Sequence, residues 1–280
     1  MANEEMREYW NADGSMSWVR AADRYDAQLT PFVDDIIGAA APAVGDAVID
    51  IGCGTGALSR AAAGVVGPGG SVAGLDISAP FLEEARRRSA AVAQVRFAEC
   101  DAQTADLAPY AAAVAISRFG VMFFDDPVAA FANIARGVVA GGRLAFACWR
   151  PAFENEWITV PMGAVVGVLG MPDLPGPGAP GPFQMGDADF VRATLQASGW
   201  ADIEITPVDH QVGIGGSLDL DAAVAFLVDD GIGRRMLDGK PEDLQVQARQ
   251  ALREALSPHA TPEGVILGAA AWLVAATRPA

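Results

Sequence analysis

Val48-Ile49-Asp50-Ile51-Gly52-Cys53-Gly54-Thr55-Gly56 decides the fold. Three residues of apolar, β-favouring character around one carboxylate read as a buried strand. The strand breaks into alternating glycines, and the Ala-rich stretch behind them reads as a helix over 54–64. Gly52 allows a sharp turn at the strand end. Gly54 and Gly56 remove side chains, so a ligand can approach the backbone. The helix start presents unpaired N–H groups and a positive dipole end. Asp50 can orient this loop or accept a bond from a ligand ammonium.

Outward from the turn, apolar runs alternate with helical patterns. Strands are expected at 71–75, 95–98, 113–116 and 144–149. Ser78 is expected to cap a helix running to about 91, and Asp126-Pro127 to open another that ends near Gly141-Gly142. Upstream, 15–40 reads as helices broken at Pro31. Strand–helix alternation of this length predicts a parallel, doubly wound α/β sheet. Past Arg150 the pattern changes: 172–186 is dense in Pro and Gly, 187–198 reads as a helix, 203–208 as a sixth strand, 219–230 and 241–256 as helices, and 265–276 as a last strand.

Three further features fall where a nucleoside needs them. Asp76 ends the second strand, where a carboxylate can bind both ribose hydroxyls. Asp101, after the third strand, can accept from an adenine amino group. Ser117 ends the fourth strand beside the crevice where open α/β sheets bind ligands. Together with the glycine turn these resemble class I S-adenosylmethionine-dependent methyltransferases: 48–56 their first motif, Gly74-Leu75-Asp76-Ile77-Ser78 their ribose segment, Cys100-Asp101-Ala102 their adenine segment. The resemblance covers about 45–150. It implies that Gly52, Cys53 and Gly54 line the methionine part of the cofactor, that Asp76 holds the ribose, and that Ile77, Asp101 and Ala102 surround the adenine. It also implies a seven-stranded sheet with an antiparallel last strand. Trp10-Asn11, Arg24-Tyr25-Asp26, the run 117–124 and Cys148-Trp149-Arg150 resemble a bacterial subgroup acting on small molecules. Where relatives often carry Phe-Asp near the fourth strand, this chain has Ala111-Ala112-Ala113.

The expected organisation is one methyltransferase domain over 1–280: an N-terminal helical lid (1–44) contributing Trp18 to the cofactor site, a cofactor-binding core (45–150), and substrate-side additions with the last two strands (151–280). S-adenosylmethionine is the expected cofactor and S-adenosylhomocysteine the product. Methyl transfer from a sulfonium needs alignment more than acid–base chemistry, so no triad is required. His259 and Tyr25 are the candidate catalytic contacts, with His210 a second histidine to weigh. Arg118, Met122 and Trp149 are the candidate acceptor-side residues; Arg118 can face the acceptor or pair with Asp125 or Asp126. The segment 172–186 and the inserted helices are expected to form a lid.

Two other readings fit parts of the pattern. Gly52-x-Gly54-x-x-Ala57 satisfies the relaxed dinucleotide fingerprint of an NAD-dependent oxidoreductase, though no Tyr-x-x-x-Lys pair accompanies it. A non-catalytic S-adenosylmethionine-binding protein would keep the same loop. Composition narrows the partners. Thirty-five Asp plus Glu against 19 Lys plus Arg give a net charge of −16, which repels phosphate backbones and anionic membranes. Three separated cysteines form neither a disulfide framework nor a metal site. The longest apolar run, 264–277, is shorter than a bilayer span. The expectation is a cytoplasmic monomer or homodimer with a small-molecule methyl acceptor, no nucleic acid, no membrane and no metal.

Overall fold

The strand that ends in the glycine turn is β1 (Ala47–Ile51), and in the computed structural model it lies at the centre of the sheet. The structure describes residues 3–12, 15–171, 178–230 and 233–280. Parallel neighbours flank β1: β2 (Ser71–Asp76) on one side, then β3 (Val95–Glu99), and β4 (Ala112–Arg118) on the other, followed by β5 (Val138–Trp149). The last long strands run antiparallel, β8 (Gly264–Thr277) against β5 and β6 (Ala201–Gly213) against β8. The order is β3-β2-β1-β4-β5-β8-β6, with the short β7 (Ala260–Thr261) paired to β8. All parallel strands point their carboxyl ends to one edge, and strand order reverses between β1 and β4. Ligands bind in α/β sheets at such a switch point.

Four helices precede the sheet: α1 (Glu4–Asn11), α2 (Met16–Arg20), α3 (Ala22–Gln28) and α4 (Thr30–Ala40). Pro31 lies in the first turn of α4, where its missing N–H costs nothing. The crossover helices are α5 (Ala57–Val66), α6 (Ala79–Arg88) and α7 (Pro127–Gly137). Asp126 caps α7, accepting from the Ala129 N–H at 3.0 Å. Ser78 precedes α6 but does not cap it; its hydroxyl donates instead to the Trp10 carbonyl at 2.8 Å. The helix over 127–137 ends four residues before Gly141. Gly137 packs so tightly that an added Cβ would meet Leu107 Cβ at 2.9 Å. Val138 then joins β4, and the glycine pair sits in a bulge, with Gly141 at φ 75°.

The remainder is α8 (Glu156–Leu169), α9 (Ala188–Ala197), α10 (Leu220–Asp229), α11 (Gly233–Leu237) and α12 (Glu242–Leu256). α8 escapes a periodic reading because it is apolar on nearly all sides and carries Pro161. One hydrophobic cluster joins both sheet faces to α4, α5, α7 and α9. A second joins α8, α10 and α12 with Ala21, Ile214, Val265 and Leu267. Residues 172–177 of the expected lid lie outside the described residues. No helix among the described residues is long and apolar enough to cross a membrane.

Candidate functional site

A cavity of about 520 Å³ opens where the carboxyl ends of β1, β2 and β4 meet α1–α3. Its floor is backbone. Gly52 (φ 63°) and Gly54 (φ 54°) occupy the left-handed region, where a side chain costs roughly 1–2 kcal/mol. A Cβ on Gly52 would sit 2.8 Å from Gly120 Cα, so the tips of β1 and β4 touch through two glycines. Asp76 braces this floor: one carboxylate oxygen accepts from Gly54 N–H at 2.7 Å and the other from Ser78 N–H at 2.9 Å. Burial pushes its carboxyl up, against the pull of those N–H groups. Burial likewise raises the Cys53 thiol well above its usual range, helped by Asp76 and Asp50, so Cys53 is a neutral wall residue.

Asp50 is completely buried. Ser59 Oγ donates to its Oδ2 at 2.5 Å, while Oδ1 has no hydrogen-bond partner. Burial pushes this carboxyl up to about 7, with Ser59 and Arg118 pulling the other way. Arg118 pairs with Asp26 at 2.8 Å through one guanidinium nitrogen; its other, Nη1, is shielded from water and also lacks a partner. The ion pair is therefore with Asp26 of α3 rather than with Asp125 or Asp126. Asp26 also faces Arg60 and Arg88, each at 3.5 Å, so α3 is tied to α5, α6 and β4. An acidic and a basic group, each with an unsatisfied buried atom, thus stand in one cavity wall.

Asp101 closes the far side with Ala102 and Ile77. Its oxygens accept from Asn3 Nδ2 (2.8 Å), Gln103 N–H (2.9 Å) and Thr104 Oγ1 (3.1 Å). Asn3 exchanges bonds with Asp125 as well, and Asn11 spans the Ile77 carbonyl and the Ala79 N–H. α1 is thereby clasped across the ends of β2 and β3.

The opposite half of the cavity is aromatic. Phe119 and Trp149 stack at 3.9 Å and 11°, Trp157 tilts against Trp149 at 4.9 Å, and Trp18 stacks on Tyr25 at 4.1 Å. Phe119 holds φ 62° immediately before Gly120, an outlier for a bulky residue of the kind that gathers at functional sites. Met122, Phe123, Pro180 and Pro182 complete this side. Gly181 N–H donates to the Met122 carbonyl at 3.0 Å, which seats 180–182 on the exit of β4.

Several expected contacts are not brought here. Ser117 is fully buried beneath the floor; its Oγ donates to the Ile51 carbonyl at 2.7 Å and accepts from Gly120 N–H at 3.2 Å, bracing β1 to β4. His259 lies in a 3-10 turn between α12 and β7, outside the cavity wall; α12, which leads into this turn, packs with α8 and α10. His210 bonds Asp35 at 2.6 Å and also stands outside. Tyr25 does line the cavity, but its hydroxyl donates to the Asp230 carbonyl at 2.9 Å, and burial pushes its ionisation far up. It serves as wall, not as base. Phe119 was expected beside the crevice at the end of the fourth strand; Asp26, Gly120 and the α1 clasp were not singled out from the sequence. Asp26 and Gly120 lay inside quoted stretches, without a signal that separated them from their neighbours. No group of three or more potential metal ligands occurs among the described residues.

Residues 48–142 match a family model described as a methyltransferase domain. Over this segment the likeness to class I methyltransferases read from the motifs is supported. The chain is 34% identical over 120 residues to aklanonic acid methyltransferase DauC of Streptomyces sp. (strain C5), which covers 42% of this chain and 54% of that protein. It is 33% identical over 165 residues to nocamycin O-methyltransferase of Saccharothrix syringae, covering 55% and 58%. The chain thus spans a little over half the length of these relatives. Among solved structures, the YcgJ protein of Bacillus subtilis superposes with TM-score 0.56 at 16% identity, over 90% of this chain and 99% of that one, which shows a shared fold. The matched segment holds the glycine floor, Asp76 and Asp101; the aromatic half comes in part from Trp149, Trp157 and residues 180–182 and from the N-terminal helices, outside that segment.

Proposed function

We propose that this chain transfers a methyl group from S-adenosylmethionine to a small, apolar, ring-bearing molecule. The observation that carries the reading is the pair of unsatisfied groups, Asp50 Oδ1 and Arg118 Nη1, in the wall beside the glycine turn. An α-amino acid end carries an ammonium for the first and a carboxylate for the second, and satisfies both. Asp76 would hold the ribose hydroxyls, and Ile77, Ala102 and Asp101 the adenine. Arg118 is assigned here to the cofactor, not to the acceptor. When bound, the cofactor supplies an already activated methyl group.

The chain's own part is alignment and drying. Phe119, Trp149, Trp157 and Trp18 offer flat apolar faces to the acceptor. The closed α1 and residues 180–182 exclude water. Arg60, Arg88 and Arg118 hold Asp26, which fixes the lid over the reacting region. The two similar methyltransferases, named for aklanonic acid and nocamycin, support a small-molecule acceptor.

Calorimetry tests the cofactor: S-adenosylhomocysteine should bind and NAD should not. Release of S-adenosylhomocysteine in the presence of a panel of polycyclic phenols, enols and carboxylic acids then separates an enzyme from a silent binder. Absence of binding by S-adenosylhomocysteine would remove the assignment.

A further inference from the structure

A second cavity of about 210 Å³ lies beside the first. Six residues line both: Tyr9, Trp18, Tyr25, Gln28, Trp157 and Pro182. The Trp18–Tyr25 stack therefore stands as a partition between two chambers. Beyond it, Ile158 of α8 faces Ile214, Phe226 and Leu227, the last three nearly inaccessible to water.

The polar groups around this side chamber are engaged. Tyr25 donates to the Asp230 carbonyl, Gln28 Oε1 accepts from Gly215 N–H at 3.0 Å, and the Asp230 carboxylate faces Arg20 at 3.7 Å. What the chamber offers an occupant is hydrocarbon and aromatic surface. Close-packed interiors keep few voids larger than a water molecule, and this one continues from the aromatic wall assigned to the acceptor.

We infer that the acceptor site is two-chambered and takes a molecule with a flat ring system in the main cavity and an apolar chain extending past Trp18 and Tyr25 into the side chamber. The inference rests on the acceptor reading above. It adds chain length as a determinant of selection, set by Ile158, Phe226 and Leu227, which line the side chamber and not the main cavity.

The test uses n-alkyl 4-hydroxybenzoates, methyl to heptyl, titrated into the full chain saturated with S-adenosylhomocysteine. Affinity should rise about four-fold per methylene until the side chamber is filled. Ile158→Trp should abolish that rise and leave S-adenosylhomocysteine affinity unchanged. Ile158→Ala should move the plateau to longer chains, and it decides the matter if the Trp variant does not fold. Affinity independent of chain length, binding by no member of the series, or the same rise in both variants overturns the inference. If the cofactor product fails to bind the wild type, the proposed activity falls, while the same series on the unliganded protein still tests the chamber.

Discussion

The two halves of the main cavity are built by different means. The half proposed for the cofactor is a sheet edge: Gly52, Gly54 and Gly120 let backbones touch, and Asp76 accepts from Gly54 N–H of the turn it braces and from Ser78 N–H after its own strand. The aromatic half is assembled from α2, α3, α8, the exit of β4 and residues 180–182, with rings stacking across long sequence separations. Backbone geometry leaves few residue choices, whereas an apolar wall can be made from many combinations of side chains. One half can thus stay constant while the other adapts to different acceptors.

The largest expected effect breaks the cofactor half alone. Asp76→Ala removes a charged acceptor and unties Gly54; S-adenosylhomocysteine affinity should fall roughly 100-fold or more, read by calorimetry, with the fold intact by circular dichroism. Retained affinity would mean that the ribose is held elsewhere. Arg118→Leu should weaken the same ligand about 10- to 30-fold, with acceptor selectivity unchanged; a shift in acceptor KM without a change in cofactor affinity would return Arg118 to the acceptor. Trp149→Leu probes the other half: acceptor KM should rise about ten-fold while cofactor affinity stays within about two-fold.

The smallest effect is in pH. Asp50 in the folded protein titrates at about 7 rather than 3.8. The folded state thus holds a proton that the unfolded chain has lost, so this group's contribution to stability is complete below 3.8 and is lost as pH rises towards 7. Ligand binding runs the other way, since an ammonium prefers the ionised carboxyl. S-adenosylhomocysteine affinity should strengthen a few-fold from about pH 6 to about pH 8, and Asp50→Asn should flatten the profile.

The same contrast explains what the sequence disclosed. β1, its glycine turn, Asp76 and Asp101 were legible because local conformation demands particular residues at particular spacings. A last strand at 265–276 was legible from its apolarity, and its antiparallel direction only from the resemblance; in the structure it runs from Gly264 to Thr277, antiparallel to β5. α8 was hidden by its uniform apolarity and by Pro161, and α1 by its polar sequence, since its stability comes from bonds to Asp101, Asp125, Ile77 and Ala79, distant in sequence. His259 drew notice as a titratable side chain in an insertion expected to cover the crevice; its neighbours in the fold are α12 and β8, and sequence alone does not say over which face a helical insertion folds. Ser117 occupies the right strand end, but side chains alternate along a strand, and this one points beneath the floor.

The α1 clasp carries a kinetic consequence. Asp101 already receives the Asn3 amide, Arg7 reaches Glu99 at 3.4 Å, and Trp10 is held through its carbonyl by Ser78. On the proposed function, a nucleoside lying between Asp76 and Asp101 would have α1 as part of its cover. Each catalytic cycle would then include one unlatching of the amino-terminal helix, and the spent nucleoside would leave at the tempo of that helix rather than at the tempo of the chemistry.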